Sequence, residues 1–113
     1  MRQAGALLLL GLLGAAPAAR AQDPAGDPRA GRRLAGGTCA ACHGNDGIAV
    51  QPDAPSLAGQ NRSYLAAQLR AYRDGTRRHE QMSVVAETLD EAQIRDLAAW
   101  YNSIEVEATV PGR

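Results

Sequence analysis

Cys39, Cys42 and His43 are the residues of this 113-residue chain whose types and spacing specify a chemistry. They stand in the run Cys39-Ala40-Ala41-Cys42-His43, a Cys-x-x-Cys-His signature of covalent haem attachment. Two cysteines three positions apart on a helix lie on one side of it. Both sulfurs then reach the two vinyl-derived arms on one edge of a haem and form thioethers. The histidine that follows brings its ring under the iron as the proximal ligand. Three other readings stand beside this one. A redox Cys-x-x-Cys needs a βαβ context, and no strand pattern supplies it. A structural zinc site needs four nitrogen or sulfur ligands, and the sequence offers only His79 beyond the motif and no third cysteine. A plain disulfide suits an exported chain, although thioethers would consume both sulfurs.

A proximal histidine donates its second ring proton to an acceptor. The carbonyl of Pro55, in Pro55-Ser56-Leu57-Ala58-Gly59, is the candidate, with this stretch passing beside the haem on the His43 side. On the opposite side of the iron, a thioether ligand raises the reduction potential. Met82, the one methionine besides Met1, lies in the stretch Thr76–Val85, which reads as a loop. His79 is a competing ligand, and an open sixth position is the remaining alternative. A methionine between two helices and well downstream of the motif is the better placed.

The elements that must position these groups come from one small domain. Residues 1–21 have the layout of a secretory signal: Arg2, an apolar run from Ala4 to Ala16, Pro17, and a small-x-small site at Ala19-Arg20-Ala21. The run is short of the roughly 20 residues of a spanning helix. A cut after Ala21 would leave a periplasmic protein with no stable membrane insertion. The charges of the full chain balance, and losing Arg2 and Arg20 leaves a net charge of −2, with no lysine anywhere. So weak a charge argues against nucleic acid as a partner. There is no phenylalanine, and the aromatics are Tyr64, Tyr72, Trp100 and Tyr101. Much of the apolar content is alanine, which buries little area, and so small a core is marginal alone. A large, mostly apolar haem would fill it.

Residues 22–28 read as a flexible entry. Asp27 is a cap and Pro28 a first helical residue, opening a helix that runs toward Cys39. Gly36 and Gly37 are costly inside it and suggest a break or close packing there. Residues 48–60, with Pro52 and Pro55, read as irregular. Asn61 caps a second helix to about Arg73, carrying Tyr64, Leu65, Leu69 and Tyr72, and Asp74-Gly75 ends it. The last helix starts at a Thr88/Glu91 capping box. Ile94, Leu97, Ala98 and Tyr101 form its apolar stripe, which Trp100 and Ile104 widen. Residues 105–113 read as a tail.

This order of residues resembles the class I c-type cytochromes over residues 29–104. The resemblance rests on Gly31 eight residues before Cys39, Cys39-Ala-Ala-Cys42-His43-Gly44, Ala54-Pro55-Ser56-Leu57-Ala58-Gly59-Gln60 and Tyr64-Leu-x-x-Gln-Leu69. It continues through Tyr72-Arg-x-Gly75, His79-x-x-Met82, and Leu89 to Tyr101. It looks closest to small bacterial periplasmic cytochromes, a group of one-haem carriers, tandem two-haem proteins and the haem subunit of flavocytochrome c sulfide dehydrogenases. The resemblance implies an all-α fold with helices wrapped around one covalently bound haem c. Cys39 and Cys42 would hold it, His43 and Met82 would be axial ligands, and Pro55, Leu57, Tyr64, Leu69 and Trp100 would line its pocket. It also implies a contact between Gly31 and Trp100, with Tyr101 the lesser choice. One departure is Ala35, where many members carry an aromatic.

The function expected is single-electron transfer between redox proteins, with both axial positions filled and no catalysis by the chain. The alternatives are the haem subunit of a dehydrogenase, with a flavoprotein partner, and a haem enzyme or sensor with an open iron site. Arg62, Arg70, Arg73, Arg77 and Arg78 form a candidate docking group for an acidic partner, or else a solvated face balanced by Asp74 and Glu80.

Overall fold

Asp27 starts the first helix: its side chain accepts from the Arg29 N–H at 2.8 Å, and Pro28 follows at the first helical position. The computed structural model describes residues 24–113, so the signal reading of residues 1–21 and the cut after Ala21 lie outside the described residues. In chain order the helices are α1 (Pro28–Thr38), α2 (Ala40–His43), α3 (Arg62–Asp74), α4 (Glu80–Glu87) and α5 (Glu91–Asn102). No strand occurs among the described residues, and no helix there is long and apolar enough to cross a membrane.

The principal packing is of the first helix on the last. Gly26 and Gly31 are both buried against the backbone of α5. A Cβ on Gly31 would sit 2.0 Å from the Asp96 carbonyl oxygen and 2.8 Å from the Trp100 Cβ. Asp27 adds a hydrogen bond from its N–H to Asp96 Oδ1 at 2.7 Å. The described part of the entry segment, residues 24–28, is therefore seated on α5 at Gly26 and Asp27. α3 packs on both α4 and α5. The core these helices share is Ala35, Leu65, Ala66, Leu89, Ile94, Leu97, Ala98 and Tyr101. Only Ile94 and Leu97 are large side chains removed fully from solvent, worth roughly 1.5–3 kcal/mol each. Ala35 is buried at the helix contact but brings no aromatic surface to it.

Three expectations are corrected here. Gly36 and Gly37 neither break α1 nor pack closely: the helix runs through both, and nothing lies within 4 Å of a Cβ at either. The interruption comes at Cys39, which ends α1 and caps α2. Next, the stretch read as a loop, Thr76–Val85, holds the first six residues of α4, an eight-residue helix with Met82 in its first turn. Finally, α5 begins two residues later than expected. Asp90 is its cap, with Asp90 Oδ1 accepting from the Gln93 N–H at 2.8 Å and Gln93 Oε1 from the Asp90 N–H at 2.9 Å. Thr88 instead closes α4, its hydroxyl donating to the Val85 carbonyl at 2.7 Å.

Glu91, in the first turn of α5, accepts from Arg70 and lies 3.4 Å from Arg73 and 3.8 Å from Arg95. The hydrogen bond from Arg70 comes first among the causes that hold its carboxyl below the usual carboxylate range. A depressed folded-state pKa means stability present above the ordinary carboxylate pKa and lost as pH falls through the depressed one. The pair is well exposed, so its contribution is screened. Glu91→Gln should lower the melting temperature modestly at neutral pH and low salt. The gap from the parent should close in acid and in high salt; a gap that persists in acid would assign the loss to packing.

Candidate functional site

Cys39, Cys42 and His43 are set by two turns of hydrogen bonding. The Cys39 N–H donates to Ala35 at 2.8 Å, carrying the direction of α1 into the motif, and the His43 N–H donates back to Cys39 at 3.0 Å. Gly44 then turns the chain at φ 77° and Gly47 at φ 76°. A Cβ on Gly44 would meet the Ile48 carbonyl oxygen at 2.1 Å, so this reversal needs glycine in both shape and conformation.

The loop that follows is pinned at both ends. Val50 and Gln51 donate to the Cys42 carbonyl at 3.0 and 3.2 Å, and Leu57 and Ala58 to the Gly47 carbonyl at 2.7 and 3.0 Å. Ser56 Oγ accepts from the Ala49 N–H at 2.9 Å. Gly59 donates to the Tyr101 carbonyl at 2.8 Å, fastening the loop to the end of α5. These bonds leave the Pro55 carbonyl 2.7 Å from His43 Nδ1. With Nδ1 donating there, Nε2 of this ring keeps its lone pair. His43 is 7% exposed, the one buried polar or charged side chain among the described residues.

The two thiols are free and half-buried. Burial pushes the Cys39 thiol up, with a smaller opposing pull from the facing Tyr101 hydroxyl. Burial likewise pushes the Tyr101 phenol far up. Cys39, Leu57, Leu69 and Trp100 all pack on the common core. Met82 and Tyr64 do not: Met82 is partly buried on α4, and Tyr64 is 49% exposed on α3. His79 is the N-cap of α4, its Nδ1 accepting from the Gln81 and Met82 N–H groups at 3.3 Å each, while its own N–H donates to Ser83 Oγ at 3.0 Å.

Of the five arginines, four hold partners within the chain. Arg70 and Arg73 hold Glu91. Arg77 donates to Gln68 at 2.7 Å and covers the Tyr72 ring at 4.7 Å. Arg62 donates to the Ala25 carbonyl at 3.4 Å. Arg78 borders an open cleft with Tyr72, Asp74, His79 and Glu80, between α3 and α4. That cleft contains none of the motif residues.

The residues fit a haem group. Two thiols and one buried imidazole share a short turn, with the imidazole's outer nitrogen already tied. The side chains of Trp100 and Tyr101 carry buried polar atoms with no hydrogen-bond partner, and buried polar groups ordinarily find one. Among the described residues no three His, Cys, Asp or Glu side chains gather as a metal-binding group. Cys39 and Cys42 would hold such a group by each supplying a thiol for addition across one vinyl group, forming a carbon–sulfur bond while its proton goes to the other vinyl carbon. The residue that sequence reasoning undervalued is Tyr101: it was placed in the α5 stripe and as a lesser partner of Gly31. In the structure Trp100 meets Gly31, and Tyr101 lies by Gly47 and Cys39.

Comparison with known proteins agrees with this chemistry. Residues 28–105 match the cytochrome c family. Cytochrome c-554(548) of Halomonas halodenitrificans is 44% identical over 84 residues, covering 72% of this chain and all of that one. Cytochrome c4 of Pseudomonas aeruginosa is 40% identical over 97 residues, covering 86% of this chain but 45% of that one. In the solved thiosulfate dehydrogenase of Marichromatium purpuratum, 22% of the matched chain corresponds to 80% of this one, at 40% identity and a TM-score of 0.63. The chain thus spans the whole of one relative and less than half of the other two.

Proposed function

The chain belongs to the cytochrome c family, which makes it a helical haem c protein of electron transfer, and from that premise we propose the residues and the setting. Cys39 and Cys42 hold the haem by thioethers, and His43 ligates the iron through Nε2. Met82 supplies the second axial ligand from the first turn of α4. Residues 29–104 form the working domain, 1–21 an export signal and 105–113 a tail, and the site of action is the periplasm. When bound, the haem supplies one-electron redox chemistry. The chain keeps His43 oriented, shields the group with Leu57, Leu69 and Trp100, and leaves no axial position for a substrate.

The observation that carries this reading is the His43–Pro55 hydrogen bond. It fixes a buried imidazole directly beside two free thiols, with one ring nitrogen tied and the other available. His/Met ligation and apolar burial both favour the less charged reduced state, so the potential is positive.

The working form is a one-haem carrier that docks transiently with a donor and an acceptor. A second reading is a haem subunit of a larger oxidoreductase, favoured by the similarity to a chain of thiosulfate dehydrogenase. Arg78 and its neighbours on α3 and α4 are the docking candidates, although Arg62, Arg70, Arg73 and Arg77 are engaged within the chain. Size-exclusion chromatography of native periplasm, followed by haem and flavin absorbance, tests the setting. Haem eluting at the size of one small chain supports the carrier. Haem eluting larger makes it a subunit, and co-eluting flavin names the class of partner.

A further inference from the structure

Tyr101 is a buried side chain beside the attachment motif, and nothing in electron transfer by His43 and Met82 requires its oxygen. It is 3% exposed. Its ring lies against Gly47, where a Cβ would come within 3.1 Å of Cδ1. Its backbone carbonyl accepts from Gly59 at 2.8 Å. A phenylalanine would fill the same space. The hydroxyl nonetheless is present, buried and without a formed hydrogen bond. A buried donor left unmade carries its whole desolvation penalty, so a tyrosine here needs an acceptor. Cys39 packs against the core cluster to which Tyr101 belongs, and its sulfur is the group this hydroxyl faces, a weak acceptor both as thiol and as thioether.

We propose that the Tyr101 hydroxyl is a hydrogen-bond donor to the Cys39 sulfur once that sulfur is a thioether, making Tyr101 a positioning residue for one of the two haem attachments. This rests on the haem c reading above. The clamped backbone and ring fix where the oxygen points, so the interaction gains its direction at little conformational cost. It also makes the two attachments unequal. The thioether at Cys39 is held from α5, whereas Cys42 is held through its carbonyl by Val50 and Gln51. The O–H dipole presents its positive end to the haem edge, which favours the reduced, less charged state.

The test uses haem-loaded protein and the variant Tyr101→Phe, which removes one oxygen and keeps the ring. Mass and the alkaline pyridine spectrum first count the thioethers, which checks attachment independently of Tyr101. The expected result is a lower reduction potential and a shift of one carbon–sulfur band in the resonance Raman spectrum, with the Met82-dependent optical bands unchanged. In the single-thioether background Cys39→Ala, the same substitution should leave the potential where that background puts it. An equal shift in both backgrounds would assign the hydroxyl to another acceptor, such as a haem carboxylate, and overturn the proposal. So would no shift in either. If Cys39→Ala does not mature, hydroxyl deuteration of the parent replaces it. A carbon–sulfur band that moves on exchange supports the bond, and unmoved bands refute it.

Discussion

Met82→Ala is expected to abolish the sulfur-ligated optical spectrum, open the iron to added imidazole, and lower the reduction potential by tenths of a volt. Axial-ligand identity is a lever that spans about 0.8 V among haem proteins, and a thioether sits at its high end. The expected fall is large because the competing ligand is already engaged. His79, three residues earlier, has its Nδ1 committed to the amides that start α4. His79→Ala should therefore keep the spectrum and cost only a helix cap, about 1 kcal/mol. Absorption spectra and potentiometric titration of the two variants separate the roles. A Met82→Ala protein with an unchanged spectrum would remove the thioether from the mechanism. A spectral loss in His79→Ala alone would transfer the ligation to histidine.

Gly31→Ala is expected to destabilise the contact between the first and last helices strongly. Its methyl group would stand 2.0 Å from the Asp96 carbonyl oxygen and 2.5 Å from the carbonyl carbon, and both are helix backbone that cannot turn aside. α1 and α5 would have to separate along their main contact. Overpacking of this kind costs about 1–3 kcal/mol, which in a domain of this size lowers the melting temperature by on the order of 10 °C. Gly36→Ala makes the opposite change a little further along the same helix. Nothing lies within 4 Å of the new methyl, and alanine is favoured over glycine in a helix interior by roughly 0.5–1 kcal/mol. Thermal melts of the haem-loaded variants should move in opposite directions. A Gly31→Ala melt that matches the parent would show that the two helices do not meet so closely in solution.

The attachment motif was legible because its chemistry demands residue types that little else explains. The first helix was equally plain, since Asp27-Pro28 marks its start. α4 was not legible, for a physical reason. Among its eight residues only Ala86 is buried, and Val84 is 64% exposed, so no apolar stripe shows through. The start of α5 offered two overlapping boxes, Thr88 with Glu91 and Asp90 with Gln93. The deciding signal was the residue before each cap. Leu89 precedes Asp90 and joins Ile94 in the core, the apolar pair that fixes the entry to a helix. Glu87 before Thr88 has no such partner. The place of Tyr101 beside Cys39 could not be read at all, because it depends on how α5 meets a turn more than 50 residues earlier in the chain.

The pairing of the first helix with the last also orders events in time. Gly26, Gly31 and Asp27 meet Arg95, Asp96 and Trp100, so α1 has no principal neighbour until nearly the whole polypeptide is available. A chain emerging N-terminus first through a narrow channel cannot complete this contact along the way. Exported in this way, as proposed above, the chain would keep Cys39 and Cys42 open to whatever performs the attachment until residues 91–102 have followed. Ending translation short of α5 should accordingly yield a chain that proteases cut throughout, including in its intact first helix.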